Sequence, residues 1–165
     1  MAIKEQIQAD MKEAMKSGNA AKRMTLSMVM SSIKNKELEK RGKAIKADAS
    51  LDAAGADELS KLTDEEIVEV VSSEIKRRKD SITSYTDGGR PELAEKENEE
   101  IAFISPYMPE QLSDEAVRVE VEKAVQETGA AGPKDMGKVI GAVMARIKGK
   151  ADGQLVSKLV KEALQ

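Results

Sequence analysis

Apolar residues recur along this chain at spacings of three and four, and no stretch alternates with period two for long enough to make a strand. That period admits helices only, so the expected fold is all-α. Ile3, Ile7, Met11, Ala14 and Met15 form one stripe, which Gly18 and Asn19 end. Residues 20–40 carry Met24, Leu26, Met28, Val29, Met30 and Ile33, an apolar sector too wide for a helix with one wet face. Such a helix belongs at the centre of its bundle. Thr63 and Glu66 have the spacing of a capping box, with the hydroxyl placed to accept from a free backbone N–H and the carboxylate placed to reach back. A long helix should start there, turn Ile67, Val70, Val71, Ile75, Ile82 and Tyr85 inward, and stop at Gly88 and Gly89. Pro91 fits the first turn of a fourth helix, where no N–H is needed, and Leu93, Ala94, Ile101 and Ile104 form its buried side.

Residues 42–60 are rich in Ala, Asp, Gly and Ser and offer no continuous face to bury, which predicts a mobile loop or a fraying helix extension. Pro106 and Pro109 cannot continue a helix and favour an extended link. The expected organisation is therefore an N-terminal helical domain of about four helices over 1–105, a linker at 106–112, and a second domain over 113–165. In that last part Ser113 opens a helix carrying Val117, Val121, Ala124 and Val125, and Gly129 closes it. Pro133 opens the next, with Met136, Val139, Ile140, Val143, Met144 and Ile147. Asp152 caps the third, with Leu155, Val156, Leu159, Val160, Ala163 and Leu164 inward. Short helices with short connections describe a small three-helix bundle.

The 165 residues include no cysteine, histidine or tryptophan and only three aromatics, Tyr85, Phe103 and Tyr107. A disulfide, a thiolate nucleophile, an imidazole base and a zinc finger made by this chain alone are excluded. Carboxylate, lysine, hydroxyl and tyrosine chemistry remain, together with pure binding. Glu95, Glu97, Glu99 and Glu100 pair with no histidine and read as surface charge. Ser31 and Ser32 beside Lys34 have a spacing common by chance. Gly137 to Gly141 lacks both the spacing and the following Lys-Ser/Thr of a phosphate-binding loop. No catalytic residue, metal site or cofactor is assigned. No run reaches the roughly 18 apolar residues that span a bilayer, and the charged start MAIKEQIQAD lacks the apolar block of a secretory signal. No membrane partner is expected, and the expected location is cytoplasmic.

The net charge of −3 hides an asymmetry. Residues 106–128 hold two basic and six acidic side chains, whereas residues 129–165 hold seven basic and three acidic. Within the basic part, Gly137, Gly141 and Ala145 recur every four residues and share one helix face. A glycine inside a helix costs about 1 kcal/mol relative to alanine, a poor choice for a merely solvated surface. The spacing implies a close approach to that backbone, by another helix of the bundle or by a ribose–phosphate backbone. Lys134, Lys138, Lys148 and Lys150 flank the row. The turn from Lys148 through Gly149 and Lys150 to Gly153, with the N-terminus of the last helix, offers N–H groups to a phosphate. By contrast, Lys76-Arg77-Arg78-Lys79 covers more than one turn and reads as a solvated face laced with ion pairs. The aromatics are too scattered for base stacking, so any RNA would be read by shape and backbone.

The segments EIKRRKDSITSY at 74–85, YMPEQLSDEAV at 107–117 and KDMGKVIGAVMARIKGKADGQLVSKLVKEAL at 134–164 together resemble the YqeY family. That family shares its fold with the C-terminal region of the B subunit, GatB, of bacterial glutamine-dependent tRNA amidotransferases. The resemblance implies an all-helical N-terminal domain followed by a three-helix tail. In the amidotransferase the tail is non-catalytic and helps to hold the tRNA body. Carried over by motif, the candidate contacts are Lys134, Gly137, Lys138, Gly141, Lys148, Gly149, Lys150 and Gly153. The expected role is a non-catalytic protein that binds tRNA or associates with an amidotransferase. A second reading is a protein–protein adaptor whose glycine face receives a partner helix. A third is an accessory to carbon–nitrogen ligase activity, with glutamine as amido-N donor, completed only by other subunits.

Overall fold

The computed structural model describes residues 2–165, and among them there are helices and no strand. One compact unit ends at Tyr107 and a second runs from Met108 to Gln165. The first contains α1 (Ile3–Lys16), α2 (Ala20–Ala47), α3 (Ala53–Ser60), α4 (Asp64–Asp87) and α5 (Pro91–Ile104), closed by a single 3₁₀ turn, Ser105–Tyr107.

Each start and stop has a local cause. The Thr63 hydroxyl accepts from the Glu66 N–H at 3.2 Å, and the Glu66 carboxylate accepts from the Thr63 N–H at 2.8 Å, so the capping box forms as expected. Lys40 also donates to Glu66 at 2.7 Å, and the two contacts hold that carboxyl below its ordinary range, Lys40 being the larger cause. Pro91 stands in the first turn of α5. The core gathers Ile7, Leu26, Val29, Ile33, Ile67, Val71 and Ile104, all fully buried. α2 packs against α1, α3, α4 and α5, the central place its sequence predicts. Even so, Met24 and Met28 on α2 remain exposed.

Three expectations for this unit are corrected. Over 42–60, expected as a mobile loop or a fraying helix extension, α2 does extend to Ala47, but a separate helix forms over Ala53–Ser60 where none was expected. Asp52 caps α3 by accepting from the Gly55 N–H at 2.7 Å, and Ala56 and Ser60, one turn apart, are buried in the packing of α3 on α2. Two small side chains suffice for close helix contact, a signal that a search for large apolar residues misses. Tyr107, expected in the linker, is instead buried at the end of the first unit, its hydroxyl donating to Asp10 at 2.5 Å. Burial, then the Asp10 contact, pushes the phenol far above its ordinary range. Third, the basic run of α4 is not wholly solvated, because Arg78 is buried beside Glu74 while Ile75, Ile82 and Tyr85 are only half-buried. Arg78 donates to Glu74 Oε2 at 2.8 Å and to Glu100 at 3.1 Å, and Ser32 donates to Glu74 Oε1 at 2.8 Å. Every charge taken out of water is thus met by a partner.

The second unit holds α6 (Asp114–Thr128), α7 (Met136–Ile147) and α8 (Gly153–Ala163), each packed against the other two. Val117, Val121 and Ala124 from α6 meet Val139, Val143 and Ile147 from α7 and Val156, Leu159 and Val160 from α8. Ser113 and Asp152 accept from the Ala116 and Gln154 N–H groups at 3.2 and 2.8 Å and so cap α6 and α8. This is the three-helix bundle the stripes predict.

Candidate nucleic-acid interface

In α7 the buried row is Val139, Val143 and Ile147, at successive four-residue steps. Gly137 and Gly141 each lie two residues from Val139, about 200° around the helix, so the glycine row faces away from the core. Gly137, Gly141 and Ala145 are all exposed. A Cβ placed on Gly137 or Gly141 would meet nothing within 4 Å. Close packing by another helix of the bundle, one of the two explanations the spacing left open, is therefore not what occupies this face.

Lysines bracket the row. Lys134, in the 3₁₀ turn Pro133–Asp135, stands seven residues before Gly141, and Lys148, at the C-cap of α7, stands seven after it. Lys134 thus precedes α7 and Lys148 follows it, one beyond each end of the helix that carries the glycine row. Lys134, Lys148 and Lys150 are exposed, and none makes an ion pair among the described residues. Lys138 differs. Its ammonium donates to the Thr128 carbonyl at 2.9 Å, satisfying a free carbonyl at the end of α6. Arg146 pairs with Glu120 at 3.9 Å and with Glu127, so α6 absorbs that charge. Lys123, then Arg146, hold the Glu120 carboxyl below its ordinary range.

The turn between α7 and α8 is built tightly. Gly149 takes the left-handed conformation with φ of 70°, and the Lys150 N–H donates back to the Ile147 carbonyl at 2.7 Å. Gln111 donates to the Gly149 carbonyl at 2.8 Å and the Leu112 N–H donates to the Lys150 carbonyl at 2.7 Å. With the Gln154 N–H taken by Asp152, two N–H groups that the sequence offered to a phosphate are engaged within the chain. Gly153 is exposed and open, whereas Gly149 is half-buried. The structure therefore leaves Gly137 and Gly141 open on α7, with the exposed Lys134 and Lys148 just beyond its two ends and Lys150 and Gly153 in the turn that follows. Lys138 is occupied by a capping contact and Gly149 serves the turn.

Sequence reasoning missed the clamp by Gln111 and Leu112, since neither residue type nor spacing marks a contact formed 38 residues away in the chain. Both serines near Lys34 are committed elsewhere, Ser31 donating to the Ser27 carbonyl and Ser32 to Glu74. Among the described residues no three His, Cys, Asp or Glu side chains gather as a metal requires, and no helix is long and apolar enough to cross a membrane.

The family model described as Yqey-like protein matches residues 4–164. A protein named altered inheritance of mitochondria protein 41, mitochondrial, from Pyrenophora tritici-repentis is 29% identical over 160 residues, covering 96% of this chain and 78% of that protein. The protein of the same name from Candida glabrata is 30% identical over 104 residues, 63% of this chain and 48% of its own length. That from Saccharomyces cerevisiae strain YJM789 is 31% identical over 102 residues, 62% and 46%. The match thus spans about half the length of the last two. The cytoplasmic expectation is corrected by these names, each of which is that of a mitochondrial protein. It rested on the lack of an apolar leader, and mitochondrial targeting uses an amphipathic, arginine-rich segment instead.

Proposed function

This chain belongs to the Yqey-like protein family, and from that premise we propose that its C-terminal bundle binds tRNA without catalysis of its own. The observation that carries the reading is the open row of Gly137, Gly141 and Ala145 between Lys134 and Lys148. With no Cβ at two of its positions, a sugar–phosphate strand can lie directly on the helix backbone. Lysines without intramolecular ion pairs then meet phosphates on either side. Such contacts neutralise charge and release counterions, and they carry no base information. The site thus recognises the body of a folded RNA by shape and backbone. The motif resemblance to the amidotransferase tail supports the same reading.

The test is association of the full chain with total tRNA as salt is raised, compared with a Lys134→Glu, Lys148→Glu variant. These two lysines are the informative pair, because reversing Lys138 would also break its bond to the end of α6. Binding should fall with salt, and each lost phosphate contact should reduce the logarithmic salt slope by about 1. Unchanged affinity in the variant would place the RNA on another face. No association at low salt would overturn the reading and leave a partner helix as the occupant of the glycine row.

A further inference from the structure

α1 and α2 form a groove in the first unit that the reading above does not use. It has a volume of about 450 Å³ and is walled by Met11 and Met15 from α1 and by Met24 and Met28 from α2. Each pair is spaced one helical turn apart, so two methionine ridges face each other across the gap. Met15 and Met24 are 61% and 64% exposed, far beyond what residues of a packed core show. This is the unburied part of the apolar sector that makes α2 too wide for its place in the bundle.

The charge around the groove is of one sign. Lys12 and Arg23 line it, and no carboxylate does. Neither cation makes an ion pair among the described residues, in a chain whose net charge is −3. We propose that this groove is a docking site for an amphipathic helix of a partner protein that carries acidic residues beside its apolar face. Methionine is unbranched, flexible and polarizable, which suits a surface that must fit inserted leucine or phenylalanine side chains of differing shape. A recessed trough of this volume holds side chains projecting from one face of a helix, the mode by which apolar grooves take helical partners. A flat bilayer surface would bridge the ridges and leave the trough unfilled. Lys12 and Arg23 then pair with carboxylates flanking the inserted side chains, which orients the helix and disfavours basic ones.

The experiment uses the full chain with methionine methyl groups labelled for NMR. The probe is a helical peptide with leucine at alternating three- and four-residue spacings and glutamate beside that stripe, matched by a peptide with lysine in place of glutamate. The glutamate peptide should shift the methyl signals of Met15, Met24 and Met28 and bind at least tenfold more tightly than the lysine peptide. Met15→Glu with Met24→Glu, at two exposed positions, should abolish binding while the helical spectrum is kept. Lys12→Glu with Arg23→Glu should invert the preference. Equal binding of the two peptides, or no movement of these methyl signals, overturns the proposal. Shifts of the same signals on anionic phospholipid vesicles without peptide, or on raising protein concentration alone, overturn it in favour of a membrane or of a second copy of this chain.

Discussion

At Arg78 the guanidinium has left water, and Glu74 and Glu100 meet its charge while Ser32 completes the coordination of Glu74. Removing one partner from such a cluster leaves the other charge buried and unpaired. Arg78→Ala should therefore destabilise the first unit by about 3–5 kcal/mol in urea titrations. Arg77, whose side chain is 74% exposed though paired with Glu74 at 3.2 Å, should cost under about 1 kcal/mol when changed to alanine. The same cluster sets an acid dependence. Burial pushes the Glu74 carboxyl up, but the bonds from Arg78 and Ser32 outweigh it and hold the folded value below the ordinary one. A depressed folded value contributes stability that is fully present above the unfolded pKa of about 4.3 and is lost as pH falls through the folded value. Glu97 acts in the opposite sense, raised by burial and by Glu100. Urea midpoints of the intact protein should fall as pH drops below about 4.5, and Glu74→Gln should flatten that fall.

On the scale of the helix, α7 separates stability from binding. Gly137 and Gly141 have open space where a Cβ would be, so alanine at Gly141, inside the helix, should stabilise it by about 1 kcal/mol, and alanine at Gly137, in the first turn, by less. If a sugar–phosphate strand lies on that backbone, the added methyl must also weaken tRNA association. A rise in melting temperature with loss of tRNA binding is the expected pair of results, and a rise with unchanged binding counts against the glycine row as the RNA surface. Gly129, by contrast, closes α6 with φ of 64°, a conformation in which a side chain is strained. Its replacement by alanine should destabilise the bundle by about 1 kcal/mol with no direct effect on the binding face.

For the whole molecule, the core of the second unit comes from α6, α7 and α8 with Leu164 just beyond α8, and the bonds from Gln111 and Leu112 to the α7–α8 turn also lie within that unit. A fragment of residues 108–165 should therefore keep its helical circular dichroism and carry the tRNA affinity, while residues 1–107 should not. A domain of about 60 residues buries only about 60% of its chain's surface, so the fragment's unfolding midpoint should be modest. A fragment that is helical yet silent towards tRNA would move the RNA surface into the first unit.

Helix type in both units, the three helices of the second, the Thr63 cap, the ends at Gly88 and Gly129, and the core rows of α6 to α8 were legible in the sequence, because each depends on residues within a few turns of one another; the extra helix α3 of the first unit was not. By periodicity the sequence also brought Gly137, Gly141 and Ala145 onto one helix face, with Lys134, Lys138, Lys148 and Lys150 flanking the row. It could not say that this face is open, that Lys138 caps α6, or that Gln111 and Leu112 hold the Gly149 turn. Nor could it show that Arg78 is buried while Met24 is exposed, or that two small residues, Ala56 and Ser60, anchor α3. Helical periodicity assigns side chains to a face of their own element. Whether that face meets a neighbour, a counter-charge or water is decided by residues distant in the chain, and only the packed tertiary structure brings those together.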